Sequence, residues 1–106
     1  MKDGFFTVAV ATPHLKVADV VHNRDRVLEL MHEAKERKAK LLVLPELTLT
    51  CYTASDLFFH DVLLEAALDA LRYLRDSSRG SDLITVVGLP YRDCDTLYNT
   101  AAVIQD

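Results

Sequence analysis

The sequence predicts an α/β fold (α+β in some schemes) with the element order β-α-β-α-β-β. Three observations predict it. Short runs that are apolar on both faces (FFTVAVAT, LLVL, LITVVGL) alternate with longer segments whose apolar residues recur at three and four. The short runs read as strands covered on both sides and the longer ones as amphipathic helices. A polar segment near the end, flanked by two β-rich runs, reads as a hairpin.

Phe5 to Thr12 forms the first strand, and Pro13, which has no N–H to give to a ladder, ends it. From about Asp19 the period changes. Val20, Arg24, Val27, Leu28, Met31 and Ala34 make a mostly apolar stripe on a helix reaching about Lys38. Asp19 suits its N-cap, with Asn23 as a cap for a start one turn later. Leu41 to Leu44 is the second strand. A strand, a helix and a strand in succession make a βαβ unit, whose strands run parallel. The second helix covers roughly Asp61 to Ser78, with Leu64, Ala67, Leu68, Leu71 and Leu74 on one face and Gly80 placed for a C-terminal cap. Leu83 to Leu89 is the third strand, Arg92 to Thr96 the hairpin loop, and Leu97 to Ile104 a fourth, antiparallel strand. Two helices can cover only one face of such a sheet. The 106 residues therefore read as the incomplete N-terminal portion of a larger domain, with the bare face left for a partner or further sequence.

Half the residues are hydrophobic, a quarter charged, and glycine and proline are few, which is a globular composition. The net charge is −4, and the densest basic run, Lys35 to Lys40, closes a predicted helix where cations complement the dipole. Nucleic-acid binding, which draws on clustered Lys and Arg, is not expected. Cys51 and Cys94 make no disulfide framework and no metal-ligand spacing. The opening MKDGFFTVAVAT loosely mimics a signal peptide, but Asp3 sits in the would-be basic region and the residues serve better as a strand. No run approaches the ~20 apolar residues of a membrane span. A soluble, cytoplasmic protein is expected.

The chemistry-bearing stretch is LLVLPELTLTCYTASD, residues 41–56. Pro45 cuts the second strand and Glu46 follows at its carboxyl end, where open α/β sheets bind ligands. The alternative is that Glu46 merely opens a helical turn and complements its N-terminus. A carboxylate partly desolvated at a strand end suits general-base work. His14, His22, His32 and His60 are scattered and form no triad, and no metal site is expected. Cys51 lacks a nearby cation to activate it as a nucleophile and reads as an apolar filler. Cys94, in the hairpin loop, is expected to face solvent.

Together, the AT-P strand end, PELTLTCYTASDLF, VVGLPYRD and LYNTAAVI resemble the opening of the nitrilase or carbon–nitrogen hydrolase superfamily. More narrowly they resemble the glutaminase domain of glutamine-dependent NAD synthetases. The resemblance implies the N-terminal part of a nitrilase-like α-β-β-α sandwich and a Glu–Lys–Cys triad. In that triad Glu46 matches the general base, and Tyr52 matches a tyrosine lining the glutamine pocket. The family's lysine and cysteine lie beyond the fourth strand, and Lys2, Lys16, Lys35, Lys38 and Lys40 match neither. Cys51 replaces the family's usual glycine, a substitution that strains the turn if positive φ is needed there. The resemblance also implies glutamine as the parent's substrate, ATP and Mg²⁺ in a separate synthetase domain with no cofactor in this segment, the remainder of the parent chain as a partner, and a homo-oligomer. The segment alone is expected to be inactive and to self-associate. Two other readings stand beside this: a superfamily amidase acting on a different C–N bond, and a non-catalytic, self-associating half-domain.

Overall fold

The computed structural model describes residues 7–16, 19–50, 61–94 and 96–105. Its elements run β1 (Val8–Val10), α1 (Val20–Glu36), β2 (Leu41–Val43), α2 (Asp61–Ser77), β3 (Ile84–Asp93) and β4 (Thr96–Ile104), in the expected order. They form one sheet in the order β1-β2-β3-β4. The first three strands are parallel and β4 is antiparallel to β3.

Alternate residues of each strand point to one face, and both helices pack there. Leu42, Val87, Leu89 and Ile104 from the sheet meet Val27, Met31 and Ala34 of α1 and Leu63, Ala67, Ala70 and Leu74 of α2 in a single core. Leu63 and Ala70 join the core although the sequence stripe omits them, while Leu68 and Leu71 are only partly buried. Arg24, within the apolar stripe of α1, is half-buried because its guanidinium lies 4.1 Å from the Tyr73 ring centroid on α2. Its stem covers apolar surface while the cation stacks on the ring.

Among the described residues no helix packs on the opposite face of the sheet, which exposes Val8 (49%), Val10 (76%) and Val103 (64%). This is the face that the sequence reading leaves for a partner or further sequence to cover. Of the expected strand Phe5 to Thr12, Phe5 and Phe6 lie outside the described residues, and Ala11 and Thr12 lie beyond the end of β1. It is an edge strand and can pair only as far as β2 runs, and Pro45 removes the donor that would prolong β2. One further bond, Ala11 N to Val43 O at 3.3 Å, marks the end of this pairing.

Asp19 is the N-cap of α1, its side chain accepting from His22 N at 3.1 Å. Asn23 is not a cap but a fully buried residue, treated below. α1 ends two residues before Lys38, which adopts φ 61°. Ala39 N donates to Ala34 O and Lys38 N to Lys35 O, the paired bonds of a Schellman motif, and Ala34 and Ala39 are both buried. Gly80, with φ 79°, supplies the left-handed residue just beyond α2. The hairpin loop is tighter than Arg92 to Thr96, because Asp93 already pairs with Thr96. Cys94 takes φ 54° in the turn, the left-handed geometry that tight hairpins require to match strand twist.

Candidate functional site

The site grows from the way β2 ends. Leu44 N donates to Val86 O at 3.1 Å, and Pro45 then halts the ladder. The chain turns through residues 46–50 with Leu47 at φ 53°. Thr48 Oγ1 donates to Pro45 O, and Thr50 N donates to Leu47 O at 3.2 Å, closing the turn on itself. Leu47, Thr48 and Leu49 are buried, so the turn is part of the packed body rather than a surface loop.

Two residues lock this turn to its surroundings. Gly88 of β3 lies beneath it, and Leu49 N donates to Gly88 O at 3.2 Å. A Cβ at position 88 would stand 2.4 Å from Leu47 N and 2.8 Å from Glu46 Cα and C, so the backbone of Glu46 can lie on the sheet only over a glycine. From the helix side, Asn23 donates through Nδ2 to Leu49 O at 3.0 Å and to Lys16 O at 2.9 Å, and its Oδ1 accepts from Lys16 N at 2.8 Å. One buried carboxamide thus ties together the segments that follow β1 and β2, both at the carboxyl edge of the sheet.

Glu46 projects from this scaffold over the helix-free face. Its Oε2 accepts a hydrogen bond from Asn99 Nδ2 of β4 at 2.9 Å. The carboxylate sits in an open groove formed by Leu44, Pro45, Val86, Gly88 and residues 99–101, and it is the one ionisable group among the described lining residues. Glu46 is exposed, which corrects the expected partial desolvation. It is placed at the carboxyl end of a buried strand as anticipated, but the face onto which it points carries no covering layer here.

The other candidates fall elsewhere. Tyr52, Cys51 and His60 lie outside the described residues. Cys94 is exposed at the hairpin tip, roughly 20 Å along the strand from Gly88. Lys40 approaches Asp82 at 3.6 Å near the amino ends of β2 and β3, the opposite end from Glu46. His14, His22 and His32 do not line the groove. Among the described residues no three His, Cys, Asp or Glu side chains converge to hold a metal, and no helix is long and apolar enough to cross a membrane.

Sequence reasoning missed Asn99, Gly88 and Asn23. The signals were present: a lone amide among apolar residues in LYNTAAVI, and a glycine inside the strand VVGLP, which marks close backbone approach.

Residues 7–106 match the carbon–nitrogen hydrolase family. The chain belongs to that family. This carbon–nitrogen hydrolase is 40% identical over 101 residues to the glutamine-dependent NAD(+) synthetase of Mycobacterium tuberculosis, covering 95% of this chain and 15% of that protein. It is also similar to the structure of a glutamine-dependent NAD(+) synthetase from Cytophaga hutchinsonii, with a TM-score of 0.88 and 28% identity, covering 94% of this chain and 17% of the other. An amidase from Nesterenkonia sp. superposes with a TM-score of 0.79 at 24% identity, covering 94% of this chain and 38% of the amidase, a likeness of fold alone. The carbon–nitrogen hydrolase match takes in Glu46, Gly88 and Asn99, and also the segment that holds Tyr52.

Proposed function

We propose that residues 1–106 form the N-terminal portion of the glutamine-hydrolysing domain of a glutamine-dependent NAD synthetase, with Glu46 as its general base. The observation that carries this reading is a carboxylate delivered by a rigid turn from the end of a buried strand onto an uncovered sheet face. The similarity to synthetases of which this chain spans 15% to 17% supports it.

In this reading the remainder of the parent supplies the missing layer, a cysteine and a lysine. Glu46 takes the proton from the cysteine Sγ, and the sulfur attacks the side-chain carbonyl carbon of glutamine. Ammonia leaves with a proton returned by the acid form of Glu46, and a thioester remains. Glu46 then takes a proton from water, whose oxygen attacks the thioester carbon; the C–S bond breaks to give glutamate, and the proton on Glu46 returns to the departing sulfur. The lysine stabilises the oxyanion, electrostatic help worth a few kcal/mol in comparable sites. Tyr52 lines the glutamine pocket.

The ammonia amidates deamido-NAD in a separate domain that uses ATP and Mg²⁺. The described residues bring no carboxylate cluster together for that ion, and no step here passes through it. With this reading go a cytoplasmic parent and a homo-oligomer.

The test is glutamine hydrolysis by the full-length protein and its Glu46→Gln variant. Loss of a cooperative catalytic group removes most of the rate, so the variant is expected to be inactive. Wild-type turnover in Glu46→Gln would end the reading.

A further inference from the structure

We infer that Asn99 is the positioning residue of the glutaminase site, a role that rests on the function proposed for Glu46. The argument starts from reach. Glu46 leaves the end of β2, and β4 lies two strands away, with β3 between them. Neighbouring strands are about 4.8 Å apart, so a glutamate on β2 meets β4 only if nothing rises from β3 beneath it. Gly88 provides that gap, since even a methyl group there would collide with the Glu46 backbone.

The register of β4 then sets the contact. Gly88 pairs with Ala101 and Pro90 with Asn99, and Thr100 Oγ1 donates to Leu89 O at 2.7 Å, which pins β4 at this level. Asn99 points to the open face beside Ala101, and its Nδ2 meets Oε2 of Glu46 at 2.9 Å.

One carboxylate oxygen is thereby held, and Oε1, which has no partner among the described residues, is left to receive a proton. An amide suits this work better than a cation or a hydroxyl. It fixes the carboxylate in a single orientation, yet its neutrality leaves the base able to accept a proton, which an adjacent Arg or Lys would oppose. Asn99 touches neither the reacting thiol nor the substrate carbon. It acts through Glu46, as outer partners orient the ligands of metal sites.

The experiment uses the full-length protein with Asn99→Ala, Asn99→Asp and Glu46→Gln. It measures kcat and KM for glutamine and, in parallel, synthesis driven by added ammonium, which bypasses the glutaminase. Asn99→Ala is expected to lower kcat for glutamine about 10- to 100-fold, by analogy with outer-partner losses in metal sites, with KM nearly unchanged. Asn99→Asp keeps the shape but sets a second carboxylate against the first, and it is expected to be the slower variant, again through kcat. Ammonium-driven synthesis stays at the wild-type level in both.

If Glu46→Gln remains active, the functional reading fails first. If Glu46→Gln is dead while both Asn99 variants match the wild-type kcat and KM, the positioning role fails alone. The role is equally overturned if Asp is tolerated better than Ala, which is the mark of a shape requirement. A parallel fall in ammonium-driven synthesis would show a structural residue only, and would also overturn it.

Discussion

Gly88→Ala is the smallest change that strikes the geometry of the site directly. The added Cβ would lie 2.4 Å from Leu47 N and 2.8 Å from two Glu46 backbone atoms, whereas unstrained heavy-atom contacts lie near 3.5–4.0 Å. All three neighbours are backbone, so no side chain can rotate away, and the turn must lift by about 1 Å. Overpacking of this kind costs about 1–3 kcal/mol. The lift also weakens the Leu49 N to Gly88 O bond, at about 1 kcal/mol. Against this, alanine restricts the unfolded chain by roughly 0.4–1 kcal/mol. The net loss is about 2 kcal/mol. In the full-length protein this appears as about 30-fold faster hydrogen exchange at the Leu49 amide, since 1.4 kcal/mol is a factor of ten. The same displacement draws Glu46 from Asn99, and a 1 Å misplacement can cost about 100-fold in turnover. Unchanged exchange over 44–50 with wild-type glutamine hydrolysis would show that the turn does not rest on β3 as described.

Asn23→Ala strands Lys16 N, Lys16 O and Leu49 O without their side-chain partner, and a loss of about 2–3 kcal/mol is expected. Thermal unfolding of the full-length variant checks it, and a neutral outcome would mean that water replaces the amide at no cost. Lys38→Gly relieves a left-handed non-glycine residue in the cap of α1 and is expected to add about 1 kcal/mol of stability. A lowered melting temperature would contradict that. The isolated 106-residue chain exposes Val8, Val10 and Val103 on an uncovered face and is expected to self-associate at micromolar concentration without hydrolysing glutamine. Sedimentation showing a monodisperse monomer, or turnover above a Glu46→Ala control, would count against it.

The parts of the fold legible in the sequence were those written as periodicity. The stripe from Val20 to Ala34 and the run from Leu41 to Leu44 each report a local environment, and a parallel βαβ unit follows from their order. Glu46 was legible as a strand-end carboxylate because Pro45 dictates where β2 stops. The carboxyl end of β1 was not legible, since an edge strand takes its extent from its neighbour and not from its own residues. Arg92, Asp93 and Thr96 read as loop because they are polar, yet a hairpin tip is wetted on both sides and its ladder can be polar throughout. The partners of Glu46 escaped for a different reason. Asn99 and Asn23 meet the turn across long sequence separations, and only the assembled register shows that Gly88 is the gap through which Glu46 reaches Asn99.

The clamp that Asn23 forms has a property that bears on how this protein responds to its surroundings. All three of its bonds join an uncharged carboxamide to uncharged backbone groups, so its hold on the turn is loosened neither by electrolyte nor by protons across the physiological range. The backbone from which Glu46 departs is thus insulated from the medium. Any sensitivity of its aim to ionic strength must arise in the side chain's own contacts, outside that clamp.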